Sequence, residues 1–360
     1  MNIFKKFFNL INRKKTKMEQ EILEQPDIIF ELIRKYINKD YTINIQIPEN
    51  IKQISLIASG SSYNSAAITA EFIRTKLKLS AQAYYSSELI LKDYFEVNNE
   101  TLFIFISQSG ETLDTNLALD KIKNITSNTL SITNVKNSKL WNGTNYKILT
   151  HAGTEKAIAS TKAMSSQLFC LFLTAIKVAE QNQIPCINYV DSLLNIPDVM
   201  KNIITKRNLI QKYAYILANH EHAVILSNGM CYPLAKEGAL KITETSYINS
   251  SAFPMGEFLH GHIAILNKKC AVIMLVQNQN ISITIDVLMQ INKKYKSDIL
   301  IISSLNVNDV NSNDVIQTDT KNDIDFVFSS LIVFQLLAYE TAYLLNRNID
   351  YPEGLIKVVK

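Results

Sequence analysis

The sequence predicts an α/β protein: two tandem, doubly wound parallel-sheet domains behind an N-terminal helical extension. Three observations predict it. Short apolar runs are followed by a small polar turn and then by apolar positions at helical spacing. This strand–turn–helix order, the pattern of a parallel sheet with helices on both faces, comes in two successive series, as in an internal duplication. The length of 360 residues fits two domains of ordinary size. The boundaries fall at 1–44 for a basic extension and its helix, 45–200 for the first domain, and 201–360 for the second domain with its C-terminal tail.

The elements follow in order. Met18 to Tyr41 reads as one helix, with Glu19, Glu21 and Glu24 enriching its start. Ile54 to Ala58 is a strand ending in Ser59-Gly60-Ser61-Ser62, after which Ala66, Ala70, Ile73 and Leu77 recur at helical spacing. Thr101 to Ile106 is the next strand, with the turn Ser107-Gln108-Ser109-Gly110-Glu111-Thr112 and another helix. Leu130 to Thr133 is the third. Helices from about Ser160 to Glu180 and from Ile196 to Asn219 separate the two series. The pattern then restarts with Ala223 to Leu226, the turn Ser227-Asn228-Gly229 and a helix through Leu240. Cys270 to Val276 leads into Gln277-Asn278-Gln279, and Ile299 to Ile302 is the third matching strand.

Composition narrows the function classes. A hydrophobic share of 47% with 19% charged residues is enough for a real core and excludes a disordered chain. The net charge is +4, but the first seventeen residues hold Lys5, Lys6, Arg13, Lys14, Lys15 and Lys17 and no acid, which leaves the body at −2. Basicity confined to a tail argues against a nucleic-acid-binding body. The four cysteines are widely spaced, so neither a zinc site nor a disulfide framework is expected, and reduced thiols in a cytoplasmic protein fit best. No apolar run approaches the ~20 residues of a membrane span, and the start is too broken for a signal peptide. Ile3, Phe4, Phe7, Phe8, Leu10 and Ile11 gather on one side of a basic amphipathic segment; a frayed or partner-packed extension is favoured over membrane contact.

In an open parallel sheet, ligands bind beyond the carboxyl ends of the strands. Both hydroxyl-rich turns of the first series lie there: Ser61 and Ser62 on one, Ser107, Gln108, Ser109 and Thr112 on the other. Each opens a helix, whose free N–H groups and dipole favour an anion. Serines and threonines are also ordinary helix caps, but two such turns on adjacent strands point to an anion site. The matching turns of the second series have lost most of these hydroxyls, so one phosphate site per chain is expected.

These residues carry a family resemblance. Ser59 to Asn64, Ser107 to Thr112, Ala152 to Glu155 with Ala159 to Lys162, Glu237 to Lys241 with Glu244, and Gly256-Glu257 with His260-Gly261 stand in one order. Together they resemble the double sugar isomerase (SIS) domain family, in particular the isomerase half of glutamine–fructose-6-phosphate aminotransferase. The likeness runs from Glu19 nearly to the C-terminus. It implies two tandem SIS domains and a hexose-phosphate site. The phosphate would be held by Ser61, Ser62, Ser107, Gln108, Ser109 and Thr112, with Ile158 and Ser160 along the sugar. Glu244 would carry the proton between C1 and C2, with Lys241 beside it. His260 would assist ring opening from a neighbouring subunit, and Lys357 would meet the C2 carbonyl. A homodimer with shared sites is implied.

The chemistry fits the residue types. Aldose–ketose isomerisation passes through an enediol or enolamine and needs a carboxylate base, an acid near the ring oxygen and positive charge near the oxyanion. Lys241 and Glu244 stand at i and i+3, so one helix face presents both. No metal or nucleotide cofactor is needed. Departures also stand out: Glu353 replaces the family's arginine in the tail, His262 replaces a proline, and no glutaminase domain precedes the sheets. The preferred reading is an isomerase/deaminase that takes an amino-sugar 6-phosphate such as glucosamine 6-phosphate to fructose 6-phosphate plus ammonia. The alternatives are a stand-alone synthase half fed by free ammonia or a separate glutaminase, and a non-catalytic sugar-phosphate sensor.

Overall fold

The computed structural model describes residues 15–92, 97–295, 297–305 and 314–357. The apolar segment between Ile3 and Ile11 therefore lies outside the described residues. Helices α1 (Lys17–Leu23) and α2 (Gln25–Tyr36) precede a first unit with strands β1 (Gln53–Ala58), β2 (Ser80–Tyr85), β3 (Thr101–Ser107), β4 (Thr129–Thr133) and β5 (Tyr146–Leu149). Its main helices are α3 (Gly60–Phe72), α4 (Leu113–Ile122) and α5 (Lys162–Gln181), and α6 (Ile187–Thr205) and α7 (Arg207–Leu217) lead on from it. The second unit has β6 (His222–Ser227), α8 (Cys231–Ser246), β7 (Asn249–Pro254), β8 (Cys270–Val276), α9 (Ile281–Lys294), β9 (Ile299–Ser303), β10 (Val315–Gln317) and α10 (Asp323–Leu344).

Each sheet has five strands, all parallel, in the orders β2-β1-β3-β4-β5 and β10-β9-β8-β6-β7. Numbered within its own unit, the second order is the first read backwards, so the two halves share one topology. In that topology the strand order reverses between the first and third strands, which is where a crevice opens. The central strands β3 and β8 are buried at every position, as parallel strands covered on both faces must be.

The units are joined through one apolar core. Buried Phe72 of α3, Phe172 of α5 and Phe328 of α10 belong to the same cluster, and Phe72 meets Phe172 edge-on at 4.9 Å. Gly238 of α8 lies so close to α10 that a Cβ there would fall 2.6 Å from the Phe334 ring. Only glycine permits that approach.

Several sequence expectations need correction. The helix read over Met18 to Tyr41 is two helices, with Pro26 in the first turn of α2 and the chain leaving the helix before an Ile37–Ile43 bridge. The helix read over Ile196 to Asn219 is α6 and α7, parted at Lys206. The edge strands β2, β5, β7 and β10 have no counterpart in the sequence reading, because they are only partly buried and carry little apolar pattern; β5 and β10 are short as well. Finally, α5 and α10 are long and apolar enough to cross a membrane by length and composition. Both are core helices with 89% of the apolar window buried, since a helix packed on every side is apolar on every side.

Candidate functional site

A cavity of about 320 Å³ opens at the carboxyl ends of β1 and β3. It collects Ser61, Ser62, Ser107, Gln108, Ser109, Thr112, Ile158, Ser160, Glu244 and Lys357 on one surface. These residues come from three loops, a helix of the other unit and the C-terminal tail.

The first turn is made by Gly60, whose φ of +58° is readily available only to glycine. Ser59 caps α3 without a side-chain hydrogen bond, which leaves the first-turn N–H groups unfilled by protein side chains. Ser62 donates its Oγ–H to Gln167 Oε1 at 2.9 Å, which aims its lone pairs elsewhere. The second turn is braced by its own side chains. Ser107 and Thr112 share a hydroxyl hydrogen bond of 2.8 Å, the Gly110 N–H donates to Ser107 Oγ at 3.0 Å, and the Glu111 N–H donates to Ser109 Oγ at 3.1 Å. Asn116 Nδ2 donates back to the carbonyls of Gly110 and Thr112. Gly110 has φ +69°, and any Cβ there would collide with Ser138 at 2.1 Å. Thr112 caps α4 with no side-chain bond, so a second helix start faces the same space.

The third loop, bearing Ile158 and Ser160, is clamped by carboxylates. Glu21 accepts from the backbone N–H groups of Lys156 and Ala157, and burial raises its pKa above the usual carboxylate range. Glu24 pairs with Lys162 at 2.8 Å, and Glu19 pairs with Arg207 at 2.5 Å. The acidic run at the start of α1 and α2 thus does more than complement a helix dipole. Glu155 Oε1 accepts from the N–H groups of Thr161 and Ala163, capping α5. Its other oxygen takes Lys357 Nζ at 2.5 Å, and the same ammonium donates to the Ala157 carbonyl at 2.6 Å. The tail that delivers Lys357 is moored by Asp350, whose carboxylate accepts from the N–H groups of Lys17 and Met18 at 2.9 Å each. Glu353, the acid in the arginine position, is exposed, and its N–H donates to the Tyr247 hydroxyl at 2.6 Å.

The opposite wall comes from α8 of the second unit. Glu244 faces the cavity and is hydrogen-bonded to Lys241 Nζ at 2.5 Å. Lys241 is fully buried, so it sits beneath the wall rather than in it. A second buried carboxylate, Glu237, lies 3.5 Å from Lys241 Nζ and accepts from Asn64 Nδ2 at 2.7 Å. Burial opposes the charge on Lys241, but Glu244 and Glu237 together outweigh it and hold the lysine protonated well above its ordinary range. Burial also raises the Glu237 pKa, against the pull of Lys241. The pair that the i, i+3 spacing places on one helix face belongs to a buried triad with one edge open to the cavity.

His260 is not brought to this cavity. It is exposed, past the short helix Met255–Phe258 of the second unit. Its neighbour His262 lies against Phe253, with ring centroids 4.3 Å apart and the planes tilted by 32°. Sequence reading gave no role to Glu155, Glu237, Asn64 or Gln167. The signal available was a carboxylate a few residues ahead of a long helix, as Glu155 stands before α5.

The sequence matches the SIS domain over residues 49–177 and again over 216–345. The chain belongs to the SIS domain family. Its two SIS domains coincide with the two parallel sheets. Among relatives, glutamine–fructose-6-phosphate aminotransferase [isomerizing] of Buchnera aphidicola subsp. Baizongia pistaciae is 32% identical over 356 residues, covering 95% of this chain and 58% of that protein. The chain thus spans little more than half the length of the curated relatives it matches. The solved C-terminal domain of glucosamine-fructose-6-phosphate aminotransferase from Francisella tularensis superposes with a TM-score of 0.86 at 28% identity, covering 94% of this chain and 98% of that one. Glucosamine-6-phosphate deaminase from Thermotoga maritima reaches 0.76 at 22% identity, covering 96% of this chain and 99% of that one, which establishes a common double-SIS fold.

Proposed function

We propose that this double-SIS protein is a sugar-phosphate aldose–ketose isomerase acting on an amino-sugar 6-phosphate, converting glucosamine 6-phosphate and water to fructose 6-phosphate and ammonia, or the reverse. The observation that carries the reading is the pairing, in one cavity, of a hydroxyl-lined double helix start with a carboxylate on the facing wall. In this reading the phosphate takes its hydrogen bonds from Ser61, Ser107, Gln108, Ser109, Thr112 and the N–H groups of α3 and α4, that of Ser62 included, because the Ser62 hydroxyl is held by Gln167. Ile158 and Ser160 lie along the carbon chain. Glu244 takes the proton from one of C1 and C2 and returns it to the other. Lys241 lies against Glu244 and Glu237, and its hydrogen bond fixes the Glu244 carboxylate at the cavity wall. Lys357 supplies positive charge at the oxyanion side, released from Glu155 when it meets the C2 carbonyl. His260 of a second copy assists ring opening in a homodimer.

The second reading is a synthase half that adds ammonia, free or from a separate glutaminase, to fructose 6-phosphate. The aminotransferase relatives favour it. Both readings use the same groups and differ in direction. A coupled assay offers glucosamine 6-phosphate in one arm and fructose 6-phosphate with ammonium in the other. Turnover of glucosamine 6-phosphate as the faster arm supports the deaminase reading, and the reverse preference supports the synthase half. Stoichiometric binding without turnover in either arm sinks both and leaves a sensor.

A further inference from the structure

The two halves correspond more closely than strand order requires. Gly60 and Gly229 each stand two residues past the end of the first strand of their unit, with φ of +58° and +55°, and Tyr63 and Tyr232 follow in step. In this register Phe72, the last residue of α3, and Thr75, in the π-helical turn Ile73–Leu77 that continues it, occupy the places of Lys241 and Glu244 of α8. The helices also serve each other's domains. Just as α8 turns Glu244 into the cavity of the first unit, the end of α3 and the π-helical turn after it turn Phe72 and Lys76 into a cavity of the second.

That second cavity has a volume of about 450 Å³. It lies beyond the carboxyl ends of β8 and β9, against the start of the long helix α10. Gln277, Gln279, Ser304, Thr320 and Lys321 line it, and the rings of Phe72 and Tyr189 form an apolar wall. Its one lining carboxylate, Asp323, is already engaged: it forms an ion pair with Lys76 and accepts from Gln277 Nε2 at 2.9 Å. Gln277 is itself buried, held by Asn280, Gln279 and Cys231 as well. No other acid and no histidine or cysteine appears among its described lining residues. In the register of the two halves, Thr75 stands where Glu244 stands in the other half, so the base position carries no acid, while cations, amides and hydroxyls remain.

We propose that this cavity is a second, binding-only site for a phosphorylated sugar or polyol. Lys321, Ser304 and Thr320 offer donors to a phosphate, the amides suit hydroxyls, and the rings suit the apolar face of a carbon chain. The ligand class rests on reading the first cavity as a hexose-phosphate site. Without a general base, this site would hold such a molecule and not turn it over.

Equilibrium dialysis of the full chain with radiolabelled fructose 6-phosphate tests this. The wild type is expected to bind two equivalents per chain. Lys321→Glu, a change at an exposed side chain, is expected to weaken one of them by at least roughly tenfold by reversing a phosphate contact. Ser304→Phe, which fills the space without altering charge, should do the same, and Ser109→Ala with Thr112→Ala should weaken the other. A single equivalent, or a two-site isotherm, that neither Lys321→Glu nor Ser304→Phe alters overturns the proposal. An isotherm altered by those two variants and indifferent to Ser109→Ala with Thr112→Ala keeps the second site and rejects the hexose-phosphate reading of the first.

Discussion

Replacing Glu244 by glutamine separates a base from a structural ion-pair partner, because the surroundings of Lys241 limit the damage. The amide keeps an oxygen near the position from which Glu244 now accepts from Lys241 Nζ, and Glu237 remains 3.5 Å away on the other side. The lysine therefore keeps one full carboxylate and one neutral acceptor. This avoids the ~3–5 kcal/mol that follows when a buried charge loses its only partner. Exchanging a charge-assisted hydrogen bond for a neutral one should cost about 1–2 kcal/mol of stability, small enough for the protein to fold. The chemical step should suffer far more. Loss of a positioned base lowers proton transfer by ~10²–10⁴-fold, equivalent to about 3–5 kcal/mol of barrier. The assay is the loss of deuterium from C2 of labelled glucosamine 6-phosphate, with binding followed separately by calorimetry. Nearly unchanged binding with washout slowed a hundredfold or more is the expected result. Washout at the wild-type rate would refute the assignment of Glu244 as the proton carrier.

Three further outcomes are expected. Changing Ser109 and Thr112 together to alanine should weaken hexose-phosphate binding by roughly 1.5–3 kcal/mol per lost charge-assisted bond, and unchanged affinity in calorimetry would remove the phosphate from this turn. Burial raises the carboxyl pKa of Asp325, against a hydrogen bond from Asn195 at 3.1 Å. An acid raised in this way helps the fold while protonated, and that help is lost as pH rises through its folded-state value. Asp325→Asn should therefore be more stable than wild type at pH 8, and the two should converge toward about pH 4, as denaturant titrations at both pH values will show. Light scattering should give a homodimer; mixed and reassembled Glu244→Gln and His260→Ala chains should then regain roughly a quarter of wild-type activity, since half the dimers carry one complete site. No recovery in the mixture would mean that His260 does not act across an interface.

Much of the first cavity was legible in the sequence because its residues sit where general rules put them. Strand ends with Ser59 to Ser62 and Ser107 to Thr112 announce both the sheet and the anion cup, and β1 and β3 are neighbours as an anion site requires. The spacing of Lys241 and Glu244 was equally plain, but its meaning was not. Periodicity cannot tell a solvated ion pair from one sealed by its neighbours; the burial of Lys241 and the hydrogen bond from Asn64 of α3 to Glu237 do so. The clamp of Glu21 on the third loop was illegible for another reason. It joins residues more than a hundred positions apart, and an acidic helix start has an adequate local explanation that hides the distant one. The long helices misled in the same way, since sequence length and apolarity cannot distinguish the interior of a bilayer from the interior of a two-domain core.

That shared core has a consequence for how the molecule comes apart. The apolar cluster running from α3 and α5 into α8 and α10 does not thin out between the halves, so neither half has a finished surface of its own. Separate expression of the two halves would leave each with a broad exposed strip of phenylalanine, leucine and isoleucine, and each would precipitate or seek the other out. Heating the intact chain should melt both sheets in a single step, although multidomain proteins of this length commonly unfold in stages. A ligand bound at one end would then protect strands at the other from unfolding. Any change that loosens α8 or α10 should be felt in both cavities at once.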